Sequence, residues 1–137
     1  MTSYAVGAHT TGFEEPDVIF MRLIGEVSKE EGLEMNQRHR EFGEGRHHVF
    51  FLIDLERLEK IDPEVRRVAT ETLRDVPLRG MALYKAPLKA KVIAKLIITA
   101  LNMFKKDAST NPVIFANSED EARAWLAARR LEILSAA

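Results

Sequence analysis

Hydrophobic residues change their spacing several times along the chain, and each change predicts a different element. The segment "DVIFMRLIG" at 17–25 mixes β-branched and aromatic residues and predicts a strand that stops at Gly25. In "HHVFFLIDL" at 47–55, the continuous apolar run from Val49 to Ile53 is typical of a strand covered on both faces. Three shorter segments, "YAVGAH", "RGMALYKA" and "NPVIFAN", predict further strands.

Capping residues predict where the helices between these strands begin. Ser28 and Glu31 have the spacing of a capping box, and Asp62 precedes Pro63 as an N-cap precedes a first helical residue. The predicted helices cover 28–45, 63–76, 87–106 and the chain from 118 onwards. The order ββαβαβαβα predicts a single α/β domain over 1–137, with a mostly parallel central sheet of about five strands and about four helices.

Composition and charge remove several classes of function. Lys and Arg total 20 and Asp and Glu total 21, so the net charge of -1 argues against a general nucleic-acid binder. The chain has no cysteine, which excludes disulfides, thiolate nucleophiles and sulfur-ligated metals. The apolar segment from Val92 to Phe104 is too short and polar for a transmembrane helix, and no secretory signal is recognisable. We therefore expect a cytoplasmic protein with no cofactor and no bound metal.

Two segments resemble a known family. "FFLIDLERLEKID" at 50–62 resembles the strand and loop of STAS domains, the fold of anti-sigma factor antagonists. The stretch from "MALYKAP" to "EDEARAWL", at 81–126, resembles the C-terminal half of the SpoIIAA-like branch of that superfamily. Together with the element order, the resemblance covers about residues 17–130. It implies a STAS-type fold and a non-enzymatic binding module.

The family's phosphorylation motif is absent from this sequence. In switching members an aspartate is followed by Ser-Ser-Gly, whereas Asp62 is followed by Pro63, Glu64 and Val65. Glu64 could hold the protein in a state like the phosphorylated one, with a charge smaller than that of phosphoserine. Alternatively, these residues only cap a helix and match its dipole, which is the interpretation we favour.

The helix predicted from Leu88 is unusually apolar. Its polar positions, Lys91 and Lys95 among them, form one stripe, and most of its other positions are apolar. Burial between the sheet and a neighbouring helix is the simpler explanation; an apolar groove for a lipid-like ligand or a partner surface is the other. Six lysines occur here with no acid among them. Their positive field could attract an anionic headgroup, a phosphate or an acidic partner helix, although a charged and solvated helix face is the commoner explanation. These residues are Lys85, Lys89, Lys91, Lys95, Lys105 and Lys106.

These features define a candidate site without catalytic residues. Asp54 and Asp62 could act as paired carboxylates, but hydrogen bonds to loop amides explain them more simply. We expect a protein partner or a small apolar or anionic ligand to bind the loop 54–64 and the helix from Leu88. An alternative is a carrier or sensor of a lipid-like ligand beneath that helix. The expected binding residues are Asp54, Asp62, Pro63, Glu64, Lys85, Lys89, Lys91, Ile93 and Ile97.

Overall fold

A computed structural model describes residues 2–103 and 111–136. In chain order the elements are β1 (Thr2–Val6), β2 (His9–Glu14), β3 (Val18–Val27), α1 (Lys29–Gly43), β4 (Val49–Ile61), α2 (Pro63–Leu73), β5 (Leu78–Tyr84), α3 (Leu88–Met103), β6 (Val113–Ala116) and α4 (Glu119–Ala136). The predictions made for Phe104, Lys105 and Lys106 lie outside the described residues.

The strands form one sheet in which neighbours in sequence are also neighbours in space, in the order β1-β2-β3-β4-β5-β6. The pairs β1–β2 and β2–β3 are antiparallel, and β3 to β6 are parallel to one another. Crossovers of one hand between successive parallel strands place their helices on one face, where α1 contacts α2 and α2 contacts α3. The last helix, α4, packs on the opposite face. The predicted α/β class is confirmed, and the predicted order of elements is observed with one additional strand at its start.

The sheet has six strands because the predicted strand at 4–9 is in fact a hairpin. Val6 pairs with His9, so the turn consists of Gly7 and Ala8 alone. Gly7 has a φ of 61°, a conformation that a two-residue hairpin turn requires and that glycine adopts without a steric penalty. The chain therefore reverses within the predicted segment.

The core confirms that the centre of β4 is covered on both sides. Val49, Phe50, Phe51 and Leu52 are at most 1% exposed. Odd-numbered positions such as Phe51 join the large core under α1, α2 and α3, whereas even-numbered ones such as Phe50 join a smaller core under α4. The sheet is thus the middle of three layers.

The segment 54–61 was predicted as a loop, and this prediction is wrong. Strand β4 continues to Ile61 and stays paired with β3, where Leu58 lies opposite Gly25 and Ile61 opposite Val27. Gly25 was expected to end β3 but has a φ of 72° inside it, next to a register shift. Such irregularities break the two-residue alternation by which a strand is recognised.

Candidate functional site

Asp54 and Asp62 lie far apart. They are eight positions apart along an extended strand, which corresponds to roughly 25 Å at the rise of a β-strand. Asp54 accepts a hydrogen bond from Arg22 Nε at 3.0 Å and another from the Glu56 amide at 3.0 Å. The two acids therefore cannot act on one substrate atom, and local hydrogen bonds account for Asp54.

Asp62, Pro63 and Glu64 form the start of α2, as predicted. The Asp62 carboxylate accepts a hydrogen bond from the Glu64 amide at 2.9 Å, and Pro63 is the first helical residue. Glu64 pairs with Arg67 at 3.0 Å and with Lys29 of α1 at 3.4 Å. The hydrogen bonds from Arg67 and Lys29 lower the pKa of Glu64. Its negative charge is therefore shared with two cations.

Helix α3 turns its large aliphatic side chains outward. The residues it buries are Ala90, Ala94 and Leu101, so two of its three innermost side chains are alanines. Four large side chains are exposed instead: Leu88 (79%), Val92 (53%), Leu96 (54%) and Met103 (79%). The predicted burial of α3 between the sheet and a neighbouring helix is therefore wrong. We call these four residues, with Lys89 and Lys95, the α3 outer face.

The lysines and isoleucines predicted for the site lie in two places, on α3 and at the end of β5. Lys89 and Lys95 are exposed on α3, and Lys91 is partly exposed. Lys85 follows β5 and pairs with Glu56 at 3.5 Å, which brings it to the β4 extension. Ile93 and Ile97 are only half-buried, and Ile97 also faces the interior. The structure thus brings Lys85 close to the Asp54 end of the predicted site, and Asp62 to Glu64 form a separate cluster.

An interior cavity lies between the sheet and α1, α2 and α3. Its volume is about 100 Å³, and its walls are mostly apolar. Two polar side chains of α1, Asn36 and His39, also line it and are 7% and 2% exposed. Sequence analysis missed both. The signal was the spacing of Gly32, Asn36, His39 and Gly43, which places them on one buried face of α1.

Burial controls the ionisation of His39. The His39 Nε2 atom lies 3.0 Å from Thr11 Oγ1, and its ring meets Phe51 edge to face. Burial lowers the pKa of His39 from its ordinary 6.5 to about 3, because the protonated ring would lose its hydration. The imidazole is therefore neutral at physiological pH.

Within residues 2–103 and 111–136, no three His, Asp or Glu side chains come together as metal ligands would. Across the same residues, no helix combines the length and apolarity needed to span a membrane.

No model of a known protein family matches the sequence, and no curated protein matches it. Two solved structures are similar over nearly the whole chain. The anti-sigma factor antagonist SpoIIAA in its unphosphorylated form is 13% identical, with a TM-score of 0.60 over 88% of this chain and 97% of that one. An uncharacterised DUF3478-family protein with a SpoIIAA-like fold, from Shewanella loihica PV-4, is 15% identical, with a TM-score of 0.63 over 92% of this chain and 98% of that one.

These similarities define the fold. The protein has a SpoIIAA-like fold, as the two quoted segments implied. At these identities the likeness concerns the backbone alone, so the chemistry of any site rests on this chain's own residues.

Proposed function

We propose that this protein is a non-enzymatic, cytoplasmic STAS-type binding module that docks a partner protein on the α3 outer face. The observation that carries the proposal is the exposure of Leu88, Val92, Leu96 and Met103 along one helix. Contiguous exposed apolar surface on a folded protein is a common mark of an interaction site. A helix of 16 residues offers about 24 Å of such surface, enough for several turns of a partner helix.

The charge around this face defines the chemistry of the partner. Lys89 and Lys95 are exposed beside the aliphatic side chains, and α3 contains no acidic residue between Leu88 and Met103. Lys95 also lies 5.7 Å from the Phe115 ring, which keeps its ammonium at the edge of the face. A complementary partner carries apolar side chains flanked by Asp or Glu, as an acidic amphipathic helix does.

The alternative, a carrier of a lipid-like ligand beneath α3, finds less support. Ala94, Ile97 and Ile98 of α3 do line the interior cavity. However, a volume of about 100 Å³ is smaller than that of an engineered cavity of about 150 Å³ that holds a single benzene molecule. A fatty-acyl chain needs several times that space. The size of the cavity therefore favours docking on the outer face over carriage of a lipid beneath it.

Two synthetic helical peptides test the proposed partner chemistry. Both carry leucine at the same helical spacing, and their remaining positions are glutamate in one peptide and lysine in the other. We expect the acidic peptide to bind at least about tenfold more tightly, and to weaken as salt is added, because lysines on the α3 outer face attract it. Fluorescence polarisation measures both affinities.

Matched variants locate the binding surface. The double substitution Val92→Glu with Leu96→Glu is expected to lower the affinity for the acidic peptide at least about tenfold. The control, Leu131→Glu, changes an exposed leucine of α4 and is expected to leave this affinity unchanged. Glu64→Ser is also expected to leave binding unchanged, because Lys29 and Arg67 already share that charge. Equal binding of the basic peptide, or an equal loss in Leu131→Glu, would refute the proposal.

A further inference from the structure

A surface groove lies at the amino ends of the parallel strands. It is formed by Pro16 and Asp17 before β3, by the loop 45–48 before β4, by Arg79 near the start of β5 and by the last turns of α4. Its volume is about 940 Å³, which lies within the range of about 300–1,000 Å³ that is typical of small-molecule sites. The groove shares no lining residue with the interior cavity and lies apart from the α3 outer face.

The lining of this groove carries an excess of positive charge. Arg46, Arg79 and Arg130 line it, against one acid among the described residues, Asp17. Both oxygens of Asp17 already accept hydrogen bonds from Arg130, at 2.6 and 2.8 Å. The Glu15 carboxylate lies 3.9 Å from Arg46 Nη2, beyond hydrogen-bond distance, and its side chain is 78% exposed. The positive charge of the groove is therefore only partly balanced, which favours an anionic ligand.

Two arginine head groups are held in place and retain unused donors. Arg46 donates to the Phe42 and Pro16 carbonyl oxygens at 2.7 and 3.3 Å, and its guanidinium lies 3.9 Å from the centre of the Phe13 ring. A guanidinium has five N–H groups, of which Arg46 and Arg130 each use two in hydrogen bonds to described residues. Because their side chains are 34% and 29% exposed, a ligand in the groove can reach them.

Hydrogen bonds bring these groups together at one point of the chain. Arg46 donates to Pro16, whereas Arg130 and His48 both bond to the neighbouring Asp17, with His48 Nε2 at 2.8 Å. The two guanidinium groups and the imidazole are therefore gathered around two consecutive residues. A phosphate monoester suits this arrangement, because it carries a charge of about -1.5 to -2 and its oxygens match the planar fork of arginine.

The same groove also has an apolar part. Ile133, Leu134 and Ala136 line it from the end of α4, and Leu134 is 59% exposed. A hydrocarbon group of the ligand would cover this surface and gain binding free energy by leaving water. The lining therefore combines a cationic part with an apolar part.

We propose that this groove binds a small organic phosphate, a monoester that carries an apolar group of a few carbons. Its phosphate oxygens accept hydrogen bonds from Arg46 and Arg130, and its hydrocarbon part lies against Ile133 and Leu134. The site is independent of the docking surface proposed on α3. The protein then has two binding surfaces, one for an acidic helix and one for a small anion.

Hexyl phosphate is the probe, with inorganic phosphate and hexylammonium as comparators. Hexyl phosphate is expected to shift the backbone amide NMR signals of residues 45–48 and 133–136, with saturation and a Kd of about 1 mM. Inorganic phosphate is expected to bind at least about tenfold more weakly, because the burial of its missing methylene groups is lost. Hexylammonium is expected to leave the signals unchanged, because the arginines repel its charge.

Matched variants locate the site. His47 lines the groove and is exposed, so His47→Glu adds a negative charge there and is expected to lower the affinity for hexyl phosphate at least about fivefold. Leu134→Ser is expected to lower the affinity for hexyl phosphate towards that for inorganic phosphate. The control, Leu33→Glu, adds a glutamate at an exposed leucine of α1 outside the groove and is expected to leave the affinity unchanged.

Vesicles distinguish a free phosphate ester from a lipid headgroup. The protein is mixed with phosphatidylcholine vesicles that contain phosphatidic acid, and the vesicles are floated through a density gradient. Binding of hexyl phosphate without flotation would support a free ester as the ligand. Flotation of the wild-type protein but not of His47→Glu would support the same site with a lipid headgroup as the source of the phosphate.

Several results would overturn the proposal. Unchanged signals at about 10 mM hexyl phosphate, about ten times the expected Kd, would show that the groove is not a phosphate site. Equal binding of hexylammonium would show an apolar surface without selection for charge. Equal affinity in His47→Glu and wild type would place the ligand outside the groove. Loss of hexyl phosphate binding in the Val92→Glu and Leu96→Glu double variant would place it on the α3 outer face.

Discussion

His39 shows how one buried side chain can make stability depend on pH. The folded protein holds the imidazole against Thr11 and Phe51, where a positive charge would lose its hydration. The unfolded chain leaves the same ring in water, with its ordinary pKa of 6.5, against about 3 when folded. At pH values between these two pKa values, the imidazole is protonated in the unfolded state and neutral in the folded state. The free energy of unfolding therefore falls as the pH is lowered.

This difference predicts a specific pH profile. Lowering the pH from 8 to 5 is expected to reduce the free energy of unfolding by about 2 kcal/mol through His39 alone, since each unit of pKa difference corresponds to about 1.4 kcal/mol. Urea unfolding followed by circular dichroism measures the profile. His39→Leu should flatten the profile between pH 5 and 6.5, and His47→Ala, at an exposed histidine, should retain it. An unchanged profile in His39→Leu would assign the effect to other groups.

At the scale of elements, α1 and α2 meet at a glycine. Gly32 lies inside α1, where alanine would normally favour the helix by about 1 kcal/mol. However, a methyl group on Gly32 would overlap the Val65 side chain of α2. Overpacking of this kind costs about 1–3 kcal/mol, so the contact between the helices outweighs helix propensity.

A double-mutant cycle tests the helix contact. Gly32→Ala is expected to lower the free energy of unfolding by about 1–2 kcal/mol in the wild-type background. In a Val65→Ala background, the same substitution is expected to be less destabilising by about 1 kcal/mol or more, because both Cγ methyl groups are removed and only the Cβ atom of residue 65, 3.0 Å from the added methyl group, remains close. Chemical denaturation of the four proteins gives both values. An equal loss in both backgrounds would contradict the close approach of the Val65 methyl groups to α1.

The elements also show what could be predicted from sequence. Helix starts are local features, and the predicted capping box at Ser28 and Glu31 is present, as is the Asp62 cap of α2. The end of β4 could not be predicted, because register shifts place the buried Leu55 and Leu58 three residues apart. The cavity could not be predicted either, since it depends on how α1, α2 and α3 pack on the sheet. Apolar content alone gave the wrong orientation of α3, whose alanines face inward.

At the scale of the whole molecule, one sheet supports two unequal cores. The larger lies under α1, α2 and α3, and the smaller lies under α4 alone. Polar contacts add to the attachment of α4. Arg123 forms a bidentate ion pair with Glu14 of β2, with N–O distances of 2.8 and 3.0 Å. Arg130 forms another with Asp17, with distances of 2.6 and 2.8 Å. These pairs fix both halves of α4 to the sheet.

Asp17 is the more buried of the two acids that attach α4, and it also accepts a hydrogen bond from His48 at 2.8 Å. Burial by itself raises the pKa of Asp17, but hydrogen bonds from Arg130 and His48 outweigh it and hold the pKa below the ordinary 3.8. A carboxyl whose pKa is lower in the folded than in the unfolded state contributes its full stabilisation at pH values above its pKa in the unfolded state. That contribution is lost as the pH falls through the folded value.

Asp17→Asn is therefore expected to lower the free energy of unfolding by about 2–3 kcal/mol at pH 7, because it removes charge-assisted hydrogen bonds to Arg130 and His48. The difference from wild type should shrink as the pH falls from 3.8 towards the lower folded pKa, because the carboxyl is protonated first in the unfolded wild-type chain and then in the folded one. Trp125, the chain's single tryptophan, packs on the smaller core, and its fluorescence follows α4 directly. Glu132→Gln alters an exposed ion pair with Arg129 and should change stability by less than about 1 kcal/mol. Equal losses in the two variants would mean that Asp17 contributes no more than a surface ion pair does.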